Sequence, residues 1–464
     1  MSDSTTLQSF EELNRFFKER LSDERLYCGE NYSFLKIFQH ALSYEQMGAH
    51  ERAIKNYMHW PLWAHAGVLR LKALLRKPLK APLLKQLVCI DPARVVADEH
   101  GNWHSIYMER IASLFAPESV AMLNRKTEPR LSNRVALDQQ PRNYGSPDGA
   151  ELNMLREVHS IAQKTLGSSA WTRQQKRHIL SALHLFFDDF RFYYALFKNQ
   201  PAKAVLFISH YHNEGLLAAL RTLSIRSIEL QHGLIAGNDL YYQYSPVFRK
   251  GVKNAFFPDN ICVYGSYWKE ILKRGCEFEE SQIVIGGDYL WQSKQLEKTQ
   301  TKENVVLICA QKSFHTEYIE YAKSLIPSME NHPEWKWIIK MHPLEKRKSE
   351  YRALSHYGFE IIDDEQSLHT LLRRARIHIS IYSTTFYDAL GYDVVNFSLQ
   401  DYGTASDYAL EMIREGVAHP LQIHENPVAR LLSGQLTELP LKRESVYGSF
   451  DEQTIRNLLN GPIN

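Results

Sequence analysis

The sequence predicts an α/β protein built of two doubly wound parallel-sheet domains in tandem, with a helical elaboration at its N-terminal end. Three observations carry that expectation. From Lys203 onward, short apolar strands alternate with amphipathic helical stretches. A second series of the same kind begins at Val305. Between them, residues 293–304 are polar and lysine-rich with no apolar period, the best linker in the chain. The expected boundaries are 1–292 for the first domain, 293–304 for the linker and 305–464 for the second domain.

Bulk properties agree with this plan. A chain of 464 residues suits two domains better than one. A formal net charge of +2 provides no whole-molecule field for nucleic acid, which is not expected as a partner. Residues 1–25 lack the apolar core of a signal peptide, and no apolar run is long enough to span a bilayer. The five cysteines, Cys28, Cys89, Cys262, Cys276 and Cys309, form no Cys-x-x-Cys pair and read as reduced core thiols. Together these point to a cytoplasmic protein.

In chain order, residues 11–57 carry helical periodicity with Phe16, Phe17, Leu35, Phe38 and Leu42 on the apolar side. Residues 60–87 mix tryptophan and leucine with Arg70, Lys72, Arg76, Lys77, Lys80 and Lys85. That composition suits either a helix packed with its lysines in solvent or a basic surface lying on the inner face of the cytoplasmic membrane. Residues 87–90 read as a strand, and 94–98 with 103–107 as a hairpin around Gly101-Asn102. Residues 126–149, with Pro129, Pro141, Gly145, Pro147 and Gly149, read as an exposed loop. Residues 151–199 read as helical, and the aromatic run 185–194 as core or interdomain packing rather than a ligand box.

The first α/β series places strands at 204–209, 227–230, 260–264 and 282–285, with helices at 214–223 and 267–274, the latter capped by Ser266. The second places strands at 305–310, 335–341, 359–362, 377–382 and 394–397, with helices at 315–329, 368–374 and 386–390. In such sheets ligands sit at the carboxyl ends of the strands, so the residues that follow each strand are the candidates. His342-Pro343 ends one strand, with Lys340 and Lys346 near it, a pattern suited to a phosphate. Ser383-Thr384-Thr385 follows another and opens a helix, where free N–H groups and hydroxyls favour an anion. His-Pro is also a common turn, and a hydroxyl run is also a common cap. In the first series Gln231-His232-Gly233 ends a strand, with His232 suited either to act as a general base or to satisfy a loop carbonyl. His210, His212 and Glu214 follow another strand. Glu214 is the competing base or a first-turn acid of its helix; the two histidines with one carboxylate are weak evidence for a metal, and none is expected. Asp363-Asp364-Glu365 reads as loop and cap. No phosphate-binding glycine loop with its lysine, no Gly-x-Gly-x-x-Gly after a strand and no Gly-x-Ser-x-Gly is present, which argues against an ordinary NTPase, dehydrogenase or α/β-hydrolase.

On Met341-His342-Pro343 and Tyr382-Ser383-Thr384-Thr385, residues 203–400 resemble bacterial GT-B glycosyltransferases that use CMP-activated nonulosonic acids or Kdo, the sialyltransferase-like enzymes with a His-Pro and a Ser-Ser/Thr motif. The resemblance implies the GT-B fold, two Rossmann-like domains facing across a cleft. It implies a CMP-sugar as donor substrate, no separate cofactor and a glycan or glycolipid acceptor, as in capsule or lipopolysaccharide synthesis. It places His342, Ser383 and Thr384 on the donor phosphate. Asn213-Glu214-Gly215 matches that family's acidic-acidic-Gly motif without its first acid. Gln231-His232-Gly233, Lys340-Met341-His342-Pro343 and Tyr382-Ser383-Thr384 also resemble the CDP-glycerol and polyol-phosphate transferases, in which phosphorus rather than carbon is attacked. A non-catalytic binding subunit of a glycan-assembly complex is a third expectation. Residues 1–200 match no family pattern.

Overall fold

The computed structural model describes residues 10–46, 86–97, 101–131, 134–140, 146–199, 202–235, 241–242, 255–275, 278–291, 302–343, 345–363, 366–400 and 405–460. The chain divides into two compact units, Met1–Gln292 with Ser449–Asn464, and Ser293–Gly448. Nearly all of the basic stretch 60–87 and most of the linker 293–304 lie outside the described residues.

In unit 1, strands β1 (Leu87–Asp91), β4 (Val120–Asn124), β5 (Val135–Ala136), β6 (Ala204–Phe207), β7 (Arg226–Leu230), β8 (Asn260–Val263) and β9 (Ile283–Ile285) form one sheet in the order β5-β4-β1-β6-β7-β8-β9. Every pairing in it is parallel. β2 (Val95–Ala97) and β3 (Trp103–Ser105) form the expected antiparallel hairpin outside it. Without the hairpin, the first six strands run 3-2-1-4-5-6, the Rossmann order, and β9 extends it.

The helices of unit 1 explain its aromatic content. α1 (Phe10–Arg20), α2 (Leu35–Gln46), α3 (Gly149–Gly167), α4 (Arg173–Phe197) and α5 (Glu214–Thr222) share one apolar core with β1 and β6. Phe186, Phe187, Phe190, Phe192, Tyr193 and Tyr194 are all buried in it, so the aromatic run is packing, as its composition suggests. The helical stretch 151–199 is two helices: Thr172 accepts from Gln175 N–H in a capping box that starts α4 afresh. Residues 126–149, expected to be loop throughout, instead contribute β5, paired with β4. β4 itself has too little periodicity to mark a strand in the sequence.

Residues 449–460, which the linear order places with the second domain, pack with unit 1. Gly286 and Gly287 after β9 make the seat: a Cβ on Gly286 would meet Cys262 Sγ and Ile455 Cδ1, and Gly287 (φ +74°) has Ser449 O where its side chain would be. Asp451 N–H then donates to Gly286 O (3.1 Å), and α10 (Glu452–Asn460) buries Ile455, Leu458 and Leu459.

Unit 2 repeats the plan. β10 (Val305–Cys309), β11 (Lys336–Lys340), β12 (Glu360–Ile362), β13 (Ile377–Ser380), β14 (Val395–Leu399) and β15 (His419–Leu421) are all parallel in the order β12-β11-β10-β13-β14-β15, again 3-2-1-4-5-6. Alternate residues serve opposite faces, as the two-residue strand period requires. Val306, Ile308, Trp337 and Ile339 pack beneath α7 (His315–Ser324), while Val305, Leu307, Cys309 and Ile338 pack against α8 (Leu368–Arg374). The helical stretch 315–329 breaks at Leu325, before Pro327, into α7 and Ile326–Asn331. β15 has no apolar run to announce it; its Pro420 is tolerated because the strand lies at the sheet edge. Cys89, Cys262 and Cys309 are buried free thiols, each pushed up to about 12 by burial, and Cys276 lies outside the described residues.

Candidate functional site

The strand order places two switch points, where consecutive crossovers leave in opposite directions and ligands of such sheets bind. In unit 1 it falls between β1 and β6, and in unit 2 between β10 and β13. The expected site residues lie at strand ends on or beside these points.

In unit 2, Ser383 follows β13 at the switch point. Its loop is fixed from below by polar groups of β10, β13 and α7 and the residues that follow them. Gln311, just after β10, accepts from Tyr382 N–H (3.1 Å), and Tyr318 on α7 accepts from Ile381 N–H (3.0 Å). Tyr318 Oη lies 3.1 Å from Gln311 Oε1 and 2.9 Å from Ser380 Oγ, which donates to Cys309 O (2.9 Å). The ends of β10 and β13 are thus bound into one unit with Ser383 above it. α9 (Thr385–Ala389) is only five residues long and continues as a 3-10 turn. Ser383 Oγ accepts from Thr385 N–H (3.2 Å), whereas Thr384, at the N-cap position, makes no side-chain cap. Ser383, Thr384 and Thr385 are all half-buried.

His342 follows β11, two strands from β13, roughly 10 Å away at ordinary strand spacing. His342 is half-buried and Pro343 exposed. Lys340 turns its ammonium onto the Asp363 carbonyl, and Asp363 itself pairs with Lys348 (2.6 Å). The turn after Pro343 is closed by buried Glu345, whose Oε1 accepts from Lys346 and Arg347 N–H (both 2.7 Å).

In unit 1, the Gln231-His232-Gly233 turn ends β7. Gln231 is fully buried and braces the turn: Nε2 donates to Gly233 O (2.9 Å), and Oε1 accepts from Tyr264 N–H (3.0 Å). His232 is half-buried, with Nε2 3.2 Å from Ser209 Oγ and 3.3 Å from Tyr211 Oη. Tyr107 Oη donates to His232 O (3.0 Å), and Arg94 reaches Tyr107 Oη (3.3 Å). Burial pushes the His232 imidazole down to about 4, so it is neutral at neutral pH; Glu229 opposes this, while Arg94 and His210 add to it.

Ser209, after β6 at the switch point, has a left-handed backbone (φ +61°), a conformation that costs a non-glycine residue about 1–3 kcal/mol. Asn213 holds it there, donating to Ile208 O (2.9 Å) and Ser209 O (2.8 Å). Glu214 is buried at the start of α5, beside His210. Gly215 follows because α5 crosses α4 at backbone contact: a Cβ there would lie 2.7 Å from Phe186 O and Phe190 N. Asn213-Glu214-Gly215 therefore has a structural reason for two of its three residues.

His210 is wholly buried, so it reaches no ligand at the surface. Its Nδ1 lies 2.5 Å from Glu229 Oε2 and its Nε2 2.6 Å from Lys36 Nζ. Tyr242 donates to Glu229 Oε1 (2.9 Å). Of His212 the structure describes the backbone alone, in the 3-10 turn 210–212. Among the described residues no three of His, Cys, Asp and Glu converge as metal ligands.

Lys36 and Glu229 were missed, although both leave a trace in the sequence. Each is a charge inside an apolar run, Leu35-Lys36-Ile37 and Ile228-Glu229-Leu230, and such a charge must find a partner.

No family model and no curated protein sequence matches the chain. Among solved structures, the S. aureus MnaA–UDP complex aligns with a TM-score of 0.49 at 10% identity, covering 81% of this chain and 95% of that one. The Neisseria meningitidis UDP-GlcNAc 2-epimerase bound to UDP-GlcNAc aligns at 0.47 and 12%, covering 80% and 98%. A Rickettsia africae glycosyltransferase aligns at 0.43 and 12%, covering 81% and 97%. At these scores and identities the likeness says nothing about chemistry. The two parallel sheets of the chain itself make it an α/β protein with two Rossmann-order units. Among the described residues no helix is long and apolar enough to cross a membrane.

Proposed function

We propose that the chain is a GT-B glycosyltransferase that moves a sugar, a nonulosonic acid or Kdo, from a CMP-linked donor to a surface glycan. The observation that carries the reading is the switch-point loop of unit 2. There Gln311, Tyr318 and Ser380 hold Tyr382-Ser383 at the carboxyl end of β13, in a sheet whose strand order is that of nucleotide-binding folds. Ser383, Thr384 and His342 are the phosphate ligands in this reading, with Lys340 behind them. Unit 1 supplies the acceptor side. His232 is the base, being neutral and half-buried, whereas Glu214 is buried.

In the reaction, the acceptor hydroxyl gives its proton to His232 as its oxygen bonds the anomeric carbon. The anomeric carbon–phosphate oxygen bond breaks, and its electron pair leaves on CMP. Hydrogen bonds from His342, Ser383 and Thr384 stabilise that charge. Contact of the chain with the membrane surface, through residues 60–87, belongs to the same proposal.

Calorimetry on the full chain with CMP, CDP, UDP and ADP tests the donor. CMP is expected to bind tightest and His342→Ala to weaken it; tighter UDP or ADP removes the cytidine assignment. Turnover tests the base: His232→Ala is expected to abolish transfer while nucleotide binding persists. If Glu214→Ala does so instead, the base is Glu214. A phosphodiester-linked product identifies polyol-phosphate transfer rather than glycosyl transfer.

A further inference from the structure

We propose that Lys36, His210 and Glu229 are positioning residues for His232, which makes helix α2 a working part of the acceptor side. The proposal rests on the reading of His232 as the base.

The three side chains form one buried line. Lys36 is the second residue of α2 and 1% exposed. Its ammonium meets His210 Nε2 (2.6 Å) and the Tyr241 carbonyl (3.0 Å), and lies over the Phe257 ring, 4.3 Å from its centroid. His210 and Glu229 are 0% exposed. An ammonium has only donors, so Nε2 accepts from it, and the single ring proton of a neutral imidazole is then on Nδ1, facing Glu229 Oε2. The line reads cation, neutral imidazole, anion, and its charges cancel. Tyr211, Tyr242, Phe257 and Phe278 surround the imidazole, and the Glu214 carboxylate also acts on it. Burial disfavours a charged His210, which agrees with the neutral ring.

A buried ion pair of this kind adds little stability over apolar residues of the same volume. What it does provide is register. His210 stands between Ser209 and Tyr211, the two residues whose hydroxyls reach His232 Nε2. Tyr211 also stacks on Tyr241 (4.5 Å), whose carbonyl Lys36 holds. Pinning His210 to β7 through Glu229, and to α2 through Lys36, sets both hydroxyls against the His232 ring. The Glu229 carboxylate also favours the imidazolium that His232 becomes when it takes a proton. The titratable groups acting on His232 include the Glu229 carboxylate, the Arg94 guanidinium and the His210 ring.

Histidine ring nitrogen spectra of the full chain test this. In the wild type His210 is expected as the neutral Nδ1–H tautomer throughout pH 5.5 to 8.5. In Lys36→Met, Glu229 loses its cation and His210 is expected to become imidazolium at pH 7; Lys36→Met with Glu229→Gln returns it to neutral. In transfer assays Lys36→Met is expected to lower kcat roughly 10- to 100-fold with KM little changed, the mark of misplaced groups. An Nε2–H tautomer in the wild type overturns the relay without any variant having to fold. So does a His210 that stays neutral in Lys36→Met. His232→Ala separates the premise from the proposal: full turnover in that variant removes His232 as the base, whereas turnover lost there but kept in Lys36→Met overturns the positioning role alone.

Discussion

His378 Nε2 stands 3.1 Å from Thr385 Oγ1, tying the interior of β13 to the first residue of α9. The direction of the bond is forced by its neighbours. Asn396 spends both amide hydrogens on Phe386 O (2.8 Å) and Val417 O (3.1 Å), so its Oδ1 accepts from His378 Nδ1–H (2.8 Å). Nε2 is left as an acceptor, and the Thr385 hydroxyl donates to it. Of the three hydroxyl residues after β13, Thr385 is thus committed inward.

That commitment separates Thr385 from Ser383. Thr385→Val keeps the shape but leaves a buried imidazole nitrogen without its donor, expected to lower unfolding stability by about 1–3 kcal/mol. Ser383→Ala is expected to change stability by under about 0.5 kcal/mol and to weaken CMP binding. Urea unfolding and calorimetry on both variants check the contrast; equal stability losses would contradict it.

Acid is expected to destabilise unit 2 through its buried imidazoles. Burial pushes His378 and His369 down to about 4 each. An unfolded histidine takes its proton near pH 6.5, so below that pH the unfolded chain binds protons that the folded one refuses. The stability due to neutral burial is therefore full above pH 6.5 and is lost as pH falls from 6.5 through 4. The limit is roughly 3 kcal/mol per group. Urea midpoints followed by tryptophan fluorescence from pH 8 to 4 measure it. A flat profile would sink the idea, and His378→Phe is expected to shallow the slope.

The turn after Pro343 depends on one carboxylate. Besides its two backbone bonds, Glu345 directs a buried Oε2, without a hydrogen-bond partner, toward His315 Nδ1 at 3.6 Å. His315 Nε2 meets Glu350 (3.0 Å) on its other side. Glu345→Ala removes the acceptor of both turn N–H groups and is expected to cost about 1–3 kcal/mol and to weaken nucleotide binding through His342. Glu345→Gln retains an acceptor for the two N–H groups and offers His315 a donor. Its melting temperature is expected to stay within a few degrees of wild type. Should Glu345→Ala melt like wild type, the turn does not depend on it.

Gly215→Ala puts a methyl carbon 2.7 Å from the α4 backbone, which cannot yield as a flexible side chain would. The expected loss is about 1–3 kcal/mol or more from forced separation of α4 and α5. Gly167→Ala, at the end of α3 with open space around it, is the control, expected to be neutral or stabilising by up to about 1 kcal/mol. Thermal unfolding of the two variants reads the difference directly.

The sequence by itself determined the α/β class, the two successive series and the strand ends at which candidates sit. Those follow from local signals: apolar runs such as Val305 to Cys309, polar punctuation, and the proline after His342. It also marked the aromatic run 185–194 as packing, in a core or between domains, because such a density of rings has to be buried; the fold put it in the core of unit 1. Only the tertiary structure decided which of those candidates meet. Strand order, which sets the switch points beside Ser209 and Ser383, is a non-local pairing that no window of sequence contains. The return of residues 449–460 to β9 depends on two glycines some 160 positions earlier in the chain. Lys36 reaches His210 across 174 positions of sequence. A buried charge announces that it has a partner, but only the folded chain says which.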